Sequence, residues 1–214
     1  MRLLQLLFVI TIFFSFVGCT VTRLKSSSMR FASNTVIAHR GAFKKNGFPE
    51  NSIASLREAI RLGCTGSEFD VRMTADEVLV VNHDPHHGGM DIESTSYAQL
   101  RSHRLSNGEE IPTLEAYLRA GLQDNKSTRL VLEIKPSPAG KARGQLLAQR
   151  VWEQVKKSEA DAWVEYISFD YAILTKLIEM DSTVVSHYLN GEKSPAVLQA
   201  AGIKGLDYNY KVYQ

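Results

Sequence analysis

From Thr35 onward, short β-branched and apolar runs alternate with segments of helical period. The pattern predicts strands at Thr35–His39, Ser67–Arg72, Val78–His83, Arg129–Lys135, Val164–Phe169, Thr183–Tyr188 and Lys204–Tyr208. It predicts helices at Ile53–Leu62, Tyr97–Arg101, Thr113–Ala120, Lys141–Lys157, Tyr171–Glu179 and Pro195–Ala200. Runs such as VLVV at 78–81 and RLVLEI at 129–134 suit burial on both faces. Strand and helix in alternation predict one α/β domain, a parallel sheet covered by helices. Either a doubly wound sheet or a (β/α)8 barrel fits that order.

The first residues follow another pattern. Arg2 precedes an apolar run from Leu3 to Val17, which ends in Gly18-Cys19. A membrane-crossing helix needs roughly 20 such residues. The shorter run with a small residue at its end reads as a secretory signal over residues 1–18. Cys19 directly after Gly18 resembles the lipidation site of a bacterial lipoprotein. That reading predicts an exported domain tethered to a membrane of the cell envelope, with 19–34 as a polar tether and 35–214 as the domain. An ordinary signal peptide stays open, since Phe16 stands where Leu is usual. With Cys19 lipidated, Cys64 reads as a small buried hydrophobe.

Composition narrows the classes. The chain has 214 residues, 44% hydrophobic and 22% charged, a globular profile rather than a disordered one. A net charge of +2 gives no reason to expect a nucleic-acid partner. Two cysteines exclude a disulfide-rich scaffold.

The unusual polar residues fall at strand ends. His39 closes the first predicted strand and Arg40 follows it; His83 closes the third. Glu68 and Asp70 are two apart, as are Glu133 and Lys135, so each pair shares a strand face. Charges on buried strands cost several kcal/mol when unpaired, on the order expected for desolvated ions. One shared polar site at the strand C-termini accounts for them better than four separate accidents. Three carboxylates suit Mg²⁺ or Ca²⁺ rather than zinc. Two histidines suit proton transfer near neutral pH, and two cations suit an anion such as phosphate. His86, His87 and His103 read as residues of an exposed surface loop.

The motifs IAHRG at 37–41, PENS at 49–52, EFDVRMTADEVLVVNHD at 68–84, IPTL at 111–114 and LEIK at 132–135 resemble those of glycerophosphodiester phosphodiesterases. The resemblance is clearest from Val36 to Lys135. It implies a metal-dependent TIM barrel that hydrolyses glycerophosphodiesters to glycerol 3-phosphate and an alcohol. It makes His39 and His83 the acid/base pair, and Glu68, Asp70 and Glu133 the ligands of one divalent cation. It places Arg40, Lys135 and Glu50 at the substrate. Asn51 reads as shaping the turn before the helix at Ile53, with a cap-type role as its plainer reading.

Two departures stand out. Seven residues (AFKKNGF) separate HRG from PEN where five is common, adding Lys44 and Lys45. The insertion after the HDP motif is reduced to HHGGMDIESTS. Phosphatidylinositol phospholipase C-like and lysophospholipase D-like activities, or a non-catalytic phosphodiester-binding lipoprotein, remain alternatives. Seven strand candidates, in a chain shorter than the roughly 250 residues typical of the fold, predict a barrel incomplete at its C-terminus.

Overall fold

The computed structural model describes residues 30–209 and 211; the signal, Cys19 and the tether through Met29 lie outside them. The elements run β1 (Ile37–Ala38), α1 (Ile53–Arg61), β2 (Gly66–Met73), β3 (Leu79–Val81), β4 (His86–His87), β5 (Met90–Asp91), α2 (Tyr97–Leu100), α3 (Leu114–Leu122), β6 (Arg129–Ile134), α4 (Lys141–Lys157), β7 (Val164–Ser168), α5 (Tyr171–Met180), β8 (Ser186–Tyr188), α6 (Pro195–Ala200) and β9 (Gly205–Leu206). Six strands pair in parallel in the order β1-β2-β6-β7-β8-β9. They curl into an incomplete (β/α) barrel. Among the described residues, β1 pairs only with β2 and β9 only with β8.

One predicted barrel strand has a different place. The run from Val78 is not a stave: β3 pairs antiparallel with the far end of β2, with Val71 opposite Val81 and Met73 opposite Leu79. The reason is chain length. Parallel neighbours need a crossover of a dozen or more residues, and far fewer lie between Met73 and Leu79. Thr74 closes that connection, its hydroxyl accepting from the Val78 amide at 2.9 Å. β2 thus overshoots the barrel rim, and β3 brings the chain back to it.

The two faces of the sheet carry different chemistry. Phe69, Val71, Leu130, Leu132 and Tyr166 point outward into the main core with Leu56, Tyr117, Leu118, Val151 and Leu174 of the helices. Burying each such side chain contributes roughly 1.5–3 kcal/mol. Phe69 and Tyr117 stack at 4.5 Å between ring centroids. The alternate residues Glu68, Asp70 and Arg72 of β2, and Val131, Glu133 and Lys135 on and after β6, face the barrel interior.

The segment after β3 is more ordered than a surface loop. His86–His87 and Met90–Asp91 form a hairpin whose turn residues Gly88 and Gly89 both have positive φ. His87 is buried, its Nε2 2.9 Å from the His103 carbonyl oxygen. The expectation of exposed histidines therefore fails for His87 and holds for His86 and His103. The Gly-Gly turn folds the chain back over a second small core of Val80, Ile92, Leu100 and Ile111. Cys64 is buried, as expected.

The segment that leads into β1, opposite these loops, is also tied down. The Ala32 amide donates to Ser127 O at 2.9 Å, and the Thr65 hydroxyl to Ala32 O at 2.8 Å. The Phe31 ring lies 4.3 Å from the Arg129 guanidinium and 6.0 Å from the Trp163 ring. Thr65, Ser127, Arg129 and Trp163 all precede or begin their strands, so Phe31 packs at the barrel's N-terminal end.

Helix α1 starts from Ser52, whose side chain accepts from the Ser55 amide at 3.0 Å and donates to Pro49 O at 2.7 Å. Asn51 is not the cap. Ser52→Ala is expected to lower stability by about 1–2 kcal/mol, read as the shift of a urea unfolding midpoint; an unchanged midpoint would show that the cap is idle.

Candidate functional site

Parallel pairing sets Asp70 directly beside Glu133, and Glu68 beside Val131 two rungs below. Side chains two apart share a face, so all three carboxylates converge at the rim. One oxygen from each lies within 4.8 Å of the others. All three residues are buried. Lys135, on the same face, stands between two of them: its Nζ is 2.7 Å from Glu133 Oε1 and 3.2 Å from Asp70 Oδ1.

The loop after β1 supplies the opposite wall. Arg40 has φ +56° and Gly41 φ +79°. A Cβ on Gly41 would sit 2.4 Å from Ser55 Oγ, so the turn can close against α1 only with glycine there. This turn aims the Arg40 amide at Glu68 Oε2, 2.8 Å away. The Arg40 guanidinium donates to both Glu50 oxygens at 2.9 and 3.1 Å and comes within 3.9 Å of Asp70. His39 Nε2 lies 3.9 Å from Glu68, with most of its side chain exposed at the mouth. His83, returned to the rim by β3, bonds through Nδ1 to Asp84 Oδ1 at 2.8 Å. Every residue predicted for the metal, the phosphate and the acid/base pair is therefore in one cluster at the C-terminal ends of the staves.

Two further residues belong to this cluster. Asn51, with φ +57°, donates from Nδ2 to Asp70 Oδ2 at 2.8 Å and accepts from the Asp70 amide at 3.2 Å. Its left-handed backbone shapes the turn before α1, and its side chain fixes the central carboxylate rather than capping the helix. Arg72 donates to the His83 carbonyl oxygen rather than to a carboxylate. The period-two rule already put Arg72 on the Glu68 face, whereas nothing local pointed Asn51 toward β2. Glu109, from the loop before α3, accepts from the Ile53 and Ala54 amides at 2.9 and 3.1 Å and so holds α1 in place. An acid on a helix N-terminus is favourable there.

The electrostatics suit a bound cation. Burial, then the neighbouring Asp70, pushes the Glu68 carboxyl up to about 8. Burial also raises Glu133. Glu68 Oε1 is buried without a hydrogen-bond partner. A hard divalent cation among three carboxylate oxygens answers each of these features. His39 is lowered by burial and by Arg40, while Asp84 is lowered by its bond with His83.

Glu68 also sets a pH dependence for the metal-free protein. Its folded-state pKa lies above that of the unfolded chain, so the folded state holds the extra proton. The Glu68 contribution to stability is full below about pH 4.5 and is lost as pH rises toward about 8. We expect the metal-free melting temperature to drop across that window, and a saturating divalent cation to reverse the drop. A flat metal-free profile would contradict this electrostatic picture.

The family model for the glycerophosphoryl diester phosphodiesterase family matches residues 39–212. The chain belongs to this family. A crystal structure of a glycerophosphodiester phosphodiesterase from Parabacteroides distasonis is 43% identical, with a TM-score of 0.80 over 83% of this chain and 74% of that one. A glycerophosphodiester phosphodiesterase of Caldanaerobacter subterraneus is 53% identical over 86 residues, 40% of this chain and 32% of its own. YhdW of Bacillus subtilis is 34% identical over 131 residues, 53% of this chain and 51% of its own. The chain thus spans about half or less of these two curated relatives. Within the family match fall all ten of the clustered residues, from His39 to Lys135.

Proposed function

We propose that this chain carries a divalent-metal-dependent phosphodiesterase site that cleaves glycerophosphodiesters to glycerol 3-phosphate and an alcohol. The observation that carries the reading is the cluster of three buried carboxylates flanked by two histidines at one barrel rim. Family membership supports the substrate class.

Glu68, Asp70 and Glu133 would hold the cation, Mg²⁺ or Ca²⁺. When bound, it supplies Lewis-acid stabilisation of charge on phosphate oxygens. Lys135 and Arg40 supply fixed positive charge to the phosphate, and both are already held by hydrogen bonds or ion pairs. Glu50, half-exposed beside Arg40, is placed to meet a glycerol hydroxyl. One histidine takes the proton of the attacking glycerol hydroxyl, giving a cyclic phosphate that water then opens. The other gives a proton to the departing alcohol oxygen. The bond from His83 Nδ1 to Asp84 leaves Nε2 as its reacting atom.

The leader supports export, and Gly18-Cys19 supports lipid anchoring at Cys19. The test of the chemistry is release of glycerol 3-phosphate from glycerophosphocholine by the purified chain. Release abolished by a chelator and restored by Mg²⁺ or Ca²⁺ is the expected result. No turnover with either ion would favour a binding protein instead.

A further inference from the structure

We infer that Arg72 is a positioning residue for His83, fixing the histidine through its backbone carbonyl; the inference rests on the phosphodiesterase reading of the site.

Four observations converge on this. Arg72 is the third residue of the inward-facing series Glu68, Asp70, Arg72, and it is buried. Its Nε and Nη2 both donate to the His83 carbonyl oxygen, at 2.9 and 2.6 Å. Among the described residues, no carboxylate lies within ion-pairing distance of its guanidinium, although charges on Asp70, Glu93, Glu133 and Asp84 act on it from further away. Finally, the His83 ring has one hydrogen bond of its own, to a largely exposed Asp84.

A buried guanidinium committed to one neutral oxygen is an unusual use of a charge. A paired contact from two donors of one rigid plane sets direction as well as distance. It fixes the peptide plane after His83 and thereby the direction in which the side chain leaves the backbone. The ladder alone does not achieve this. β3 ends at Val81, and one further bond, from the Asn82 amide to Asp70 O at 2.9 Å, is the last to hold the strand. His83 lies one residue beyond it; the Asn82 side chain holds the Asp84 and His86 carbonyls at 2.8 and 3.2 Å, which leaves the His83 carbonyl itself to Arg72. Small errors in the placement of a proton-transfer group cost large factors in rate. Arg72 thus ties the acid/base residue to the strand that carries two of the metal ligands.

The test separates hydrogen bonding from charge. Arg72→Met keeps the volume of the buried side chain and removes both donors. Arg72→Gln places an amide nitrogen at the same number of bonds from Cα as the arginine Nε, without the charge. For glycerophosphocholine hydrolysis we expect Arg72→Met to lower kcat roughly 10–100-fold with KM within about twofold, and Arg72→Gln to recover most of that loss. In a His83→Ala background, Arg72→Met should cost little more, because it acts through the missing ring. The His83 imidazole NMR signals should shift in Arg72→Met and stay near the wild type in Arg72→Gln. Equal losses in the two variants, or a full additional loss without His83, would overturn the inference. If the wild-type chain shows no turnover, the functional reading fails on its own. The imidazole signals then still decide the positioning, and unchanged signals in Arg72→Met would reject it.

Discussion

His83→Ala is expected to lower kcat for glycerophosphocholine by about 10²–10⁴-fold, the range for losing a general acid or base. The fold should hardly notice. The ring makes a single hydrogen bond, to a side chain that is 73% exposed. Surface changes of that kind stay within roughly 0.5 kcal/mol. The signature is therefore a collapsed rate at an unchanged melting temperature. His39→Ala should behave alike, since its side chain is 69% exposed and its nearest carboxylate oxygen is 3.9 Å away. A rate within threefold of wild type for either variant would remove that histidine from the chemistry.

Glu68→Gln is expected to abolish metal-dependent turnover and, above pH 8, to stabilise the metal-free protein. Both effects come from the same charge. Three carboxylates in one buried cluster repel one another and have lost water. Burial first, and Asp70 second, keep Glu68 protonated up to about pH 8. A glutamine there resembles the protonated acid, so near pH 4 the two proteins should melt together, and the gap should open as pH rises past about 4.5. Above pH 8 the wild type must carry the buried charge and the variant need not, a difference on the order of a few kcal/mol. Added Mg²⁺ or Ca²⁺ should raise the wild-type melting temperature and leave the variant's unchanged. Activity should fall about 100-fold or more, beyond what loss of an outer hydrogen-bond partner of a metal site costs. A variant that keeps both turnover and the cation-induced shift would show that Glu68 is not a ligand.

Much of the site was legible because strands obey a period of two. Glu68 and Asp70 on β2, with Glu133 and Lys135 at β6, had to share faces, and an in-register parallel pair brings those faces together. The direction of β3 was not read from its side chains, because an apolar run such as VLVV suits either a parallel stave or a return strand. The short link after Met73 carried that information, and counting it excludes a parallel crossover. The Gly88-Gly89 turn was likewise a hairpin signal hidden among polar residues. Asn51 was legible as a turn residue but not as a partner of Asp70. Its role depends on β2 arriving beside the α1 turn, 19 residues away in sequence. Tertiary partners of this kind leave no periodic trace.

The Phe31 contact has a consequence for where the reaction would face. The chain enters the barrel beside Thr65, Ser127 and Trp163, at the pole opposite the carboxylate cluster. Anchorage at Cys19 would therefore hang the domain by its base. Its mouth would open outward, away from the lipid surface and toward whatever diffuses past. A molecule oriented like that meets dissolved headgroup diesters more readily than lipids still embedded beneath it, so the mount itself would act as a filter on substrate.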